Sequence, residues 1–125
     1  MNFVFLAALE TPILVASKNG IVEMVTKILE LFPVAIYDTH KENWKNMVLM
    51  AVENRQSHIY DFLLNTKHLL DREIAFRAVD NHKNTALHLA GKLARYHHRL
   101  HIPTSMLQML WEVKWYQVCK TQAKI

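Results

Sequence analysis

The sequence predicts an all-α protein in which about three helical hairpins stack side by side. The chain of 125 residues contains two glycines and three prolines, and 51% of its residues are hydrophobic. Helix breakers are therefore rare and apolar side chains suffice for a packed core. Three six-residue windows also share one pattern, a polar residue followed by a short apolar run that includes an alanine. They begin at Thr11, Asn46 and Thr85, with offsets of 35 and 39 residues.

Each window has the features of a helix start. Thr11, Asn46 and Thr85 stand where a side-chain oxygen can accept a hydrogen bond from an orphan backbone N–H. Pro12 follows at the first helical position, where its missing N–H costs nothing. Small residues inside the windows would let a neighbouring hairpin approach closely; these are Ala16, Ala51 and Ala90.

A second helix is predicted after each of the first two windows. Asn19 and Gly20 end the first helix, because both residue types tolerate a positive φ. Apolar residues then recur at i, i+3, i+4, i+7 and i+8 from Ile21. Residues 11–29 and 46–64 align in this register without a gap. Arg55 stands at the position of Gly20, so the repeat is expected to degenerate from here.

The rest of the chain follows the repeat less closely. The third copy keeps a first helix at about residues 86–93, and its second helix is interrupted around His97, His98 and Pro103. Residues 71–79 predict an extra short helix between the copies. We expect repeats near residues 11–45, 46–84 and 85–105 in a single domain that spans residues 1–125.

The two ends of the chain are expected to cover the stack. Residues 3–9 predict an N-terminal packing helix. Residues 106–120 predict a C-terminal capping helix whose apolar arc is much wider than one buried face requires. Gln108, Glu112 and Cys119 mark its polar side. This helix should pack on the third repeat and still expose apolar surface.

The windows resemble the T-P-L-H-x-A signature of ankyrin repeats, which are about 33 residues long. Thr85-Ala86-Leu87-His88-Leu89-Ala90 and Thr11-Pro12-Ile13-Leu14-Val15-Ala16 carry the likeness. The resemblance implies an ankyrin-type α-solenoid of about three helix-turn-helix repeats. Residues 107–116, with their Trp-Glu-x-Lys-Trp-Tyr ending, make the chain similar to plant ankyrin-repeat membrane proteins of the PGG-domain family.

This resemblance covers about residues 10–120 and implies a role. Members of that family are similar to signalling adaptors in stress and defence responses at the plasma membrane. No PGG segment occurs in this sequence, and no apolar run approaches the roughly 20 residues that span a bilayer. The chain is therefore expected to be a truncated member or a fragment. We expect it in the cytoplasm, at the cytoplasmic face of the plasma membrane if it follows the family.

Charge and cysteine content narrow the classes of partner. The net charge is +4, yet no dense cluster of Lys and Arg occurs, so nucleic-acid binding is not predicted. Cys119 is the only cysteine, which favours a reducing compartment. The oligomeric state does not follow from the sequence.

Catalytic chemistry is not predicted. His88 has a structural explanation, since its ring can hydrogen-bond the Thr85 side of the turn. His97, His98 and His101 lack the further ligands of a zinc site. Cys119 has no histidine base placed beside it. We expect no catalytic residue, no cofactor and no metal, and the chain is predicted not to be an enzyme.

The predicted function is a non-catalytic module that binds another protein. Ankyrin-type proteins bind partners with turn tips and with the concave face of their first helices. Trp44 is a candidate anchor in a polar loop beside Glu42, and it could instead fold back onto the repeat core. The candidate partner-binding residues of these regions are Lys18, Asn19, Trp44, Lys45, Glu53, Asn54, Asn81, His82, Asn84 and Lys92.

The last helix suggests an alternative function. Trp111, Trp115 and Tyr116 could form a surface near a membrane, because Trp and Tyr favour the bilayer interface and Lys114 and Lys120 suit anionic headgroups. The alternative is a membrane-proximal scaffold that docks through this Trp-rich helix on a membrane or a transmembrane partner. A plain capping helix over the third repeat remains the simpler interpretation.

Overall fold

The computed structural model describes residues 9–66, 72–92 and 105–123. Every regular element in these ranges is a helix, and no strand occurs in them. The prediction of an all-α protein is confirmed. The predicted packing helix at residues 3–9, apart from Leu9, and the interrupted segment with His97, His98 and His101 lie outside the described residues.

The described helices follow the predicted order along the chain. Their bounds are α1 Pro12–Asn19, α2 Val22–Leu31, a 3-10 helix Pro33–Tyr37, α3 Met47–Glu53, α4 Ser57–Asn65, α5 Arg72–Arg77, α6 Ala86–Gly91 and α7 Ser105–Ala123. The short helix predicted at residues 71–79 is present as α5. The final helix is slightly longer than the predicted residues 106–120.

The helices form two rows. In the inner row α1 packs against α3, and α3 packs against α6. In the outer row α2 packs on α1 and on α4, α4 packs on α3, and α7 packs on α6. Edge-to-face contact between Tyr60 and Trp115, with ring centroids 5.6 Å apart, joins α4 to α7. The helix α7 therefore stands beside α6 as α2 stands beside α1.

The core is centred on α3, because this helix lies between two neighbours in the inner row. Residues Met47 to Val52 of α3 are all buried, none with more than 4% of its surface exposed. Ala16 and Ala51 are fully buried, as expected for small residues between close helices. Around them lie Leu14, Val25 and Leu63 from the neighbouring helices.

The predicted helix caps are present at two of the three windows. The Asn46 side chain accepts from Leu49 N–H at 3.0 Å. Thr85 and His88 form a reciprocal pair in which His88 Nδ1 accepts from Thr85 N–H at 3.1 Å. Thr11 makes no such bond, and its hydroxyl is buried without a partner. Because Pro12 has no N–H and fixes the first turn, α1 begins without this cap.

The side of α7 that the sequence marks as polar faces the core. Cys119 is buried, and Gln108 and Glu112 are half-buried. The apolar residues Met106 and Met109 are instead 76% and 70% exposed. The helix packs on α6 and exposes apolar residues, as predicted, and its inner side includes this polar stripe because the buried Arg55 pairs with Glu112.

Candidate functional site

Two stacked turns lie at one edge of the helix rows. Residues 40–45 precede α3 and residues 80–84 precede α6; we name them the paired turns. His40 N–H donates to the Lys45 carbonyl at 2.9 Å, and Asp80 N–H donates to the Asn84 carbonyl at 3.1 Å. Each turn contains one non-glycine residue at positive φ, Trp44 at 63° and Lys83 at 64°. The two turns thus share a closing backbone hydrogen bond and a positive φ two residues before the following helix cap, although the first turn is one residue longer.

Backbone hydrogen bonds join these turns in a line. Asn81 N–H of the second turn donates to the Asn43 carbonyl of the first at 2.9 Å. Lys41 N–H of the first turn donates to the Leu9 carbonyl at 3.2 Å, ahead of α1. The Asn81 amide also donates to the Glu42 carbonyl at 3.3 Å. These bonds fix the spacing of the turns and give the edge a rigid backbone.

The second turn is held by the carboxylate of Asp80. Its Oδ1 accepts from the N–H groups of His82 at 2.8 Å and Asn84 at 2.9 Å. Burial alone would raise the pKa of Asp80, but the donated N–H groups of Asn84 and His82 outweigh it and lower the pKa below the usual range. Asp80 and the half-buried Asn84 are therefore support residues, and His82 remains exposed above them.

Trp44 projects from the first turn toward solvent. Its side chain is 58% exposed, although its backbone N–H donates to the His40 carbonyl at 2.8 Å. The indole therefore does not fold back onto the repeat core, which was one of the two interpretations. A bulky residue at positive φ is uncommon and costs roughly 1–2 kcal/mol. The turn thus presents an exposed aromatic side chain from a hydrogen-bonded backbone.

Ion pairs cross two helices of the inner row. Lys45 Nζ lies 2.7 Å from Glu53 across α3, with 12% and 28% of the side chains exposed. Glu10 and Lys18 stand at the equivalent positions of the first repeat with the charges reversed, 3.8 Å apart. The predicted partner-binding residues Lys18, Lys45 and Glu53 are therefore already paired within the chain.

The remaining predicted residues of the inner row lie at helix ends. Asn19 and Asn54 occupy equivalent positions, and each side-chain amide donates to the carbonyl four residues back, at 2.9 Å and 2.8 Å. Lys92 is exposed beyond the end of α6. No ion pair of Lys92 with another described residue is found. Asn81, His82 and Lys92 leave hydrogen-bonding or charged groups open to solvent in the described surface.

Sequence reasoning did not anticipate the role of Arg55. This residue has φ 57°, close to the 75° of Gly20, so the left-handed turn is kept without a glycine. Its guanidinium donates to the Leu89 carbonyl at 3.3 Å, to the Lys92 carbonyl and to Glu112 Oε2 at 2.8 Å. Arg55 thus joins the ends of α3 and α6 to α7.

The neighbouring Gln56 makes the opposite connection. Its amide donates to the Lys18 carbonyl at 2.9 Å, at the end of α1. Residues 55 and 56 together tie the second repeat to the first and to the third. In the sequence, this connection is marked only by an arginine, Arg55, at the position that Gly20 occupies in the first repeat. That difference predicts a degenerate repeat and does not predict a new contact.

The aromatic residues of α7 divide between core and surface. Trp115 is 5% exposed, and its Nε1 donates to the Val52 carbonyl at 3.2 Å. Tyr116 is half-buried beside Gly91. Trp111 stacks on Trp115 at 5.9 Å and is 37% exposed. The sequence predicts that Trp115 contacts a partner. Its burial and its hydrogen bond place it in the core, so Trp115 is not part of the candidate surface.

Cys119 lies in an apolar setting against Tyr60. Burial raises the pKa of the Cys119 thiol to about 11, and burial also raises the pKa of Tyr60. A thiol with this pKa is protonated at neutral pH and is a poor nucleophile. Among the described residues, no group of three or more His, Cys, Asp or Glu side chains could hold a metal ion.

Comparisons with family models, with characterised proteins and with solved structures found no match. Within the described part of the chain, no helix combines the length and the apolar character that crossing a bilayer requires. The surface with the most regular geometry is the paired turns and the exposed ends of the inner row.

Proposed function

We propose that this protein is a non-catalytic interaction module that binds a protein partner through the paired turns and the adjoining inner row. The observation that carries the proposal is Trp44, an exposed indole on a turn whose backbone is fixed on both sides. Binding hot spots are enriched in Trp because a rigid aromatic side chain buries a large area at low entropy cost. His82 in the second turn and Lys92 at the far end of α6 add exposed polar groups to this edge and to the inner row.

We further propose that the helices form an ankyrin-type α-solenoid of three units. Support comes from the inner row α1, α3 and α6, from the aligned Gly20 and Arg55 turns, and from the hydrogen bonds that link successive turns. In this arrangement α7 serves as the outer helix of the third unit. The likeness to plant ankyrin-repeat proteins of the PGG-domain family stays a prediction, and with it the role in stress or defence signalling.

The experiment is affinity capture from a native extract with the full chain, followed by mass spectrometry. The test variant is Trp44→Asn, because Asn accepts positive φ and so removes the indole without disturbing the turn. We expect one protein to be captured by the wild type and lost with Trp44→Asn. The matched control is Lys27→Ala, which changes an exposed residue of α2 far from the turns in the repeat.

Capture that survives Trp44→Asn unchanged would contradict the assignment of the paired turns. Loss of capture with Lys27→Ala as well would also contradict it, because the contact would then not depend on the turns. Circular dichroism of both variants checks that each keeps the helical content of the wild type.

The alternative of docking on a membrane or a transmembrane partner through α7 has weaker support. A helix that lies on a bilayer keeps an apolar face and a polar face along its whole length. In α7 the exposed apolar residues concentrate in the first half, at Met106, Met109 and Leu110, and the exposed lysines Lys114 and Lys120 lie in the second half. Flotation with anionic liposomes tests this alternative.

A further inference from the structure

The first of the paired turns is built around a buried histidine. His40 is 8% exposed. Its N–H donates to the Lys45 carbonyl at 2.9 Å, and its own carbonyl accepts from Trp44 N–H at 2.8 Å. Its ring also takes part, because Nδ1 accepts from Glu42 N–H at 3.1 Å. The turn that carries the exposed Trp44 indole therefore depends on the backbone and on the side chain of His40.

The second turn has an aspartate in the equivalent position. Asp80 begins its turn, as His40 does, and it is also buried. Its carboxylate accepts from the N–H two residues later, that of His82, at 2.8 Å. An imidazole and a carboxylate thus have the same role in adjacent turns. They differ in their response to acid, because aspartate side chains are ionised above about pH 4, whereas histidine side chains change charge between about pH 5 and 8.

The hydrogen bond from Glu42 determines which ring nitrogen of His40 carries the proton. Because Glu42 N–H is the donor, Nδ1 must supply a lone pair, so the neutral ring has its proton on Nε2. A second proton can then enter the ring only at Nδ1. Two N–H groups would face each other, and the bond to Glu42 would be lost. Protonation of the ring and closure of the turn by this bond therefore exclude each other.

A carboxylate lies beside the other nitrogen of the ring. Nε2 is 3.6 Å from Oε1 of Glu10, which stands just before α1. Lys18 of α1 is 3.8 Å from the same oxygen, and 47% of its side chain is exposed against 16% for Glu10. Solvent therefore screens the lysine more strongly than the carboxylate. A ring that gains a second proton here has a negative charge next to it.

The other charged groups of the two turns make different contacts. Lys45 is paired with Glu53 at 2.7 Å, and the Asp80 carboxylate accepts from N–H groups of its own turn. Among the described residues, no carboxylate besides Glu10 forms an ion pair with His40. The remaining charged or titratable side chains near the turns are the half-buried Asp38 and the exposed Lys41, Glu42, His82 and Lys83.

We propose that the first turn is a pH-sensitive switch, in which protonation of His40 releases Glu42 N–H and opens the turn that presents Trp44. The closed turn binds one proton fewer than the open turn, so acid shifts the population toward the open turn, by at most about tenfold per pH unit. The second turn stays closed over the same range, because Asp80 stays ionised. The opening needs no partner, whereas its use to regulate binding at Trp44 rests on the function proposed above.

The test is amide hydrogen exchange of the full chain, resolved by NMR at pH 7.5 and at pH 5.5. We expect the protection factor of Glu42 N–H to fall by about fivefold to tenfold at the lower pH, which corresponds to the loss of one hydrogen bond. The protection factor of His82 N–H in the second turn should stay constant. It serves as an internal reference, because its acceptor Asp80 does not gain a proton in this range.

The test variant is His40→Asn, because an asparagine oxygen can accept from the same N–H and does not titrate in this range. The protection factor of Glu42 N–H in this variant should be the same at both pH values. The matched control is His58→Asn, which changes an exposed histidine of α4 and should leave the pH response of the wild type intact. No partner is present in these measurements, so their result does not depend on the proposed binding function.

Equal protection of Glu42 N–H at the two pH values in the wild type would overturn the proposal. A parallel fall at His82 N–H would also overturn it, because the whole edge would then loosen together. The same holds for a fall that persists in His40→Asn. The nitrogen chemical shifts of the His40 ring give a check without any variant, since a proton on Nδ1 at pH 7.5 would contradict the acceptor role of that atom.

Discussion

Arg55 shows how a single residue can keep a repeat intact while its motif disappears. At φ 57° it carries a steric cost of roughly 1–2 kcal/mol that a glycine would avoid. Its side chain is 2% exposed, and it pairs with Glu112 while satisfying carbonyls at the ends of α3 and α6. A buried guanidinium with this many partners outweighs the backbone strain. Compared with a glycine at this position, Arg55 gives a more strained turn, and its side chain connects three helices.

Truncating Arg55 should be strongly destabilising. We expect Arg55→Ala to lower the free energy of unfolding by about 3–5 kcal/mol, because it removes a buried guanidinium from Glu112 and from the Val52 and Leu89 carbonyls. Arg55→Gly should cost about 1 kcal/mol less, since glycine accepts the positive φ. Urea denaturation followed by tryptophan fluorescence measures both. Equal costs for the two variants would show that backbone strain at this position is negligible.

Asp80 gives the protein an acid-sensitive turn. The donated N–H groups lower its pKa in the folded state, so its contribution to stability is complete above the unfolded pKa of about 3.9. That contribution is lost as pH falls through the folded pKa. We expect Asp80→Asn to cost about 1 kcal/mol at pH 7 and to flatten the decline in stability below about pH 4.

Thermal melts of the wild type and of Asp80→Asn from pH 7 to pH 3 measure this difference. Asp61 is exposed on α4 and accepts no turn N–H in the described structure, so Asp61→Asn serves as the control. A variant curve that runs parallel to the wild-type curve throughout the acid range would show that the Asp80 carboxylate does not couple to folding.

At the scale of the element, the turn between α1 and α2 requires a residue without a side chain at position 20. Gly20 has φ 75°, and a Cβ added there would lie 2.5 Å from Gln56 Oε1. Gly20→Ala would therefore strain the backbone and push aside the side chain that binds the Lys18 carbonyl. We expect it to lower the free energy of unfolding by about 1–2 kcal/mol.

The matched control for that substitution is Gly91→Ala in α6. A Cβ at Gly91 would meet Tyr116 at 3.5 Å, an ordinary contact, and its φ is not positive. The change should be neutral or stabilise by up to about 1 kcal/mol, because alanine favours helix over glycine. Chemical denaturation of both variants measures the contrast. A loss at Gly91 as large as that at Gly20 would contradict the argument from backbone geometry.

The elements also show where sequence reasoning succeeds and where it ends. The first two hairpins follow from periodicity and capping, since Asn46 and the Ile59 register depend on neighbours a few residues away. The face of α7 did not follow, because its orientation depends on Glu112 meeting an arginine 57 residues earlier. Likewise the sequence does not decide whether the Trp44 side chain faces the core or solvent. Its exposure depends on a hydrogen-bonded turn whose geometry no sequence motif predicts.

At the scale of the whole molecule, stability comes from contacts between units. Each described hairpin has too little apolar area to be stable alone, and α3 is buried because α1 and α6 flank it. The connections made by Arg55, Gln56 and the paired turns cross from one unit to the next. The described units should therefore unfold together, in one transition, and damage to the middle unit should spread to both sides.

A charge placed between helices of the inner row tests this cooperativity. We expect Ala51→Asp to unfold the whole stack, because an unpaired carboxylate in that fully buried site costs several kcal/mol, comparable to the total stability of a small domain. Ala16→Asp should act in the same way from the first unit. The matched control is Val15→Asp, which places the same charge on the 39% exposed neighbour of Ala16 and should cost less than about 1 kcal/mol. Far-ultraviolet circular dichroism would show loss of nearly all helix in the first two variants and wild-type melting in the third. Partial loss of helix in Ala51→Asp would mean that the units fold separately, and stacking would then not be the source of their stability.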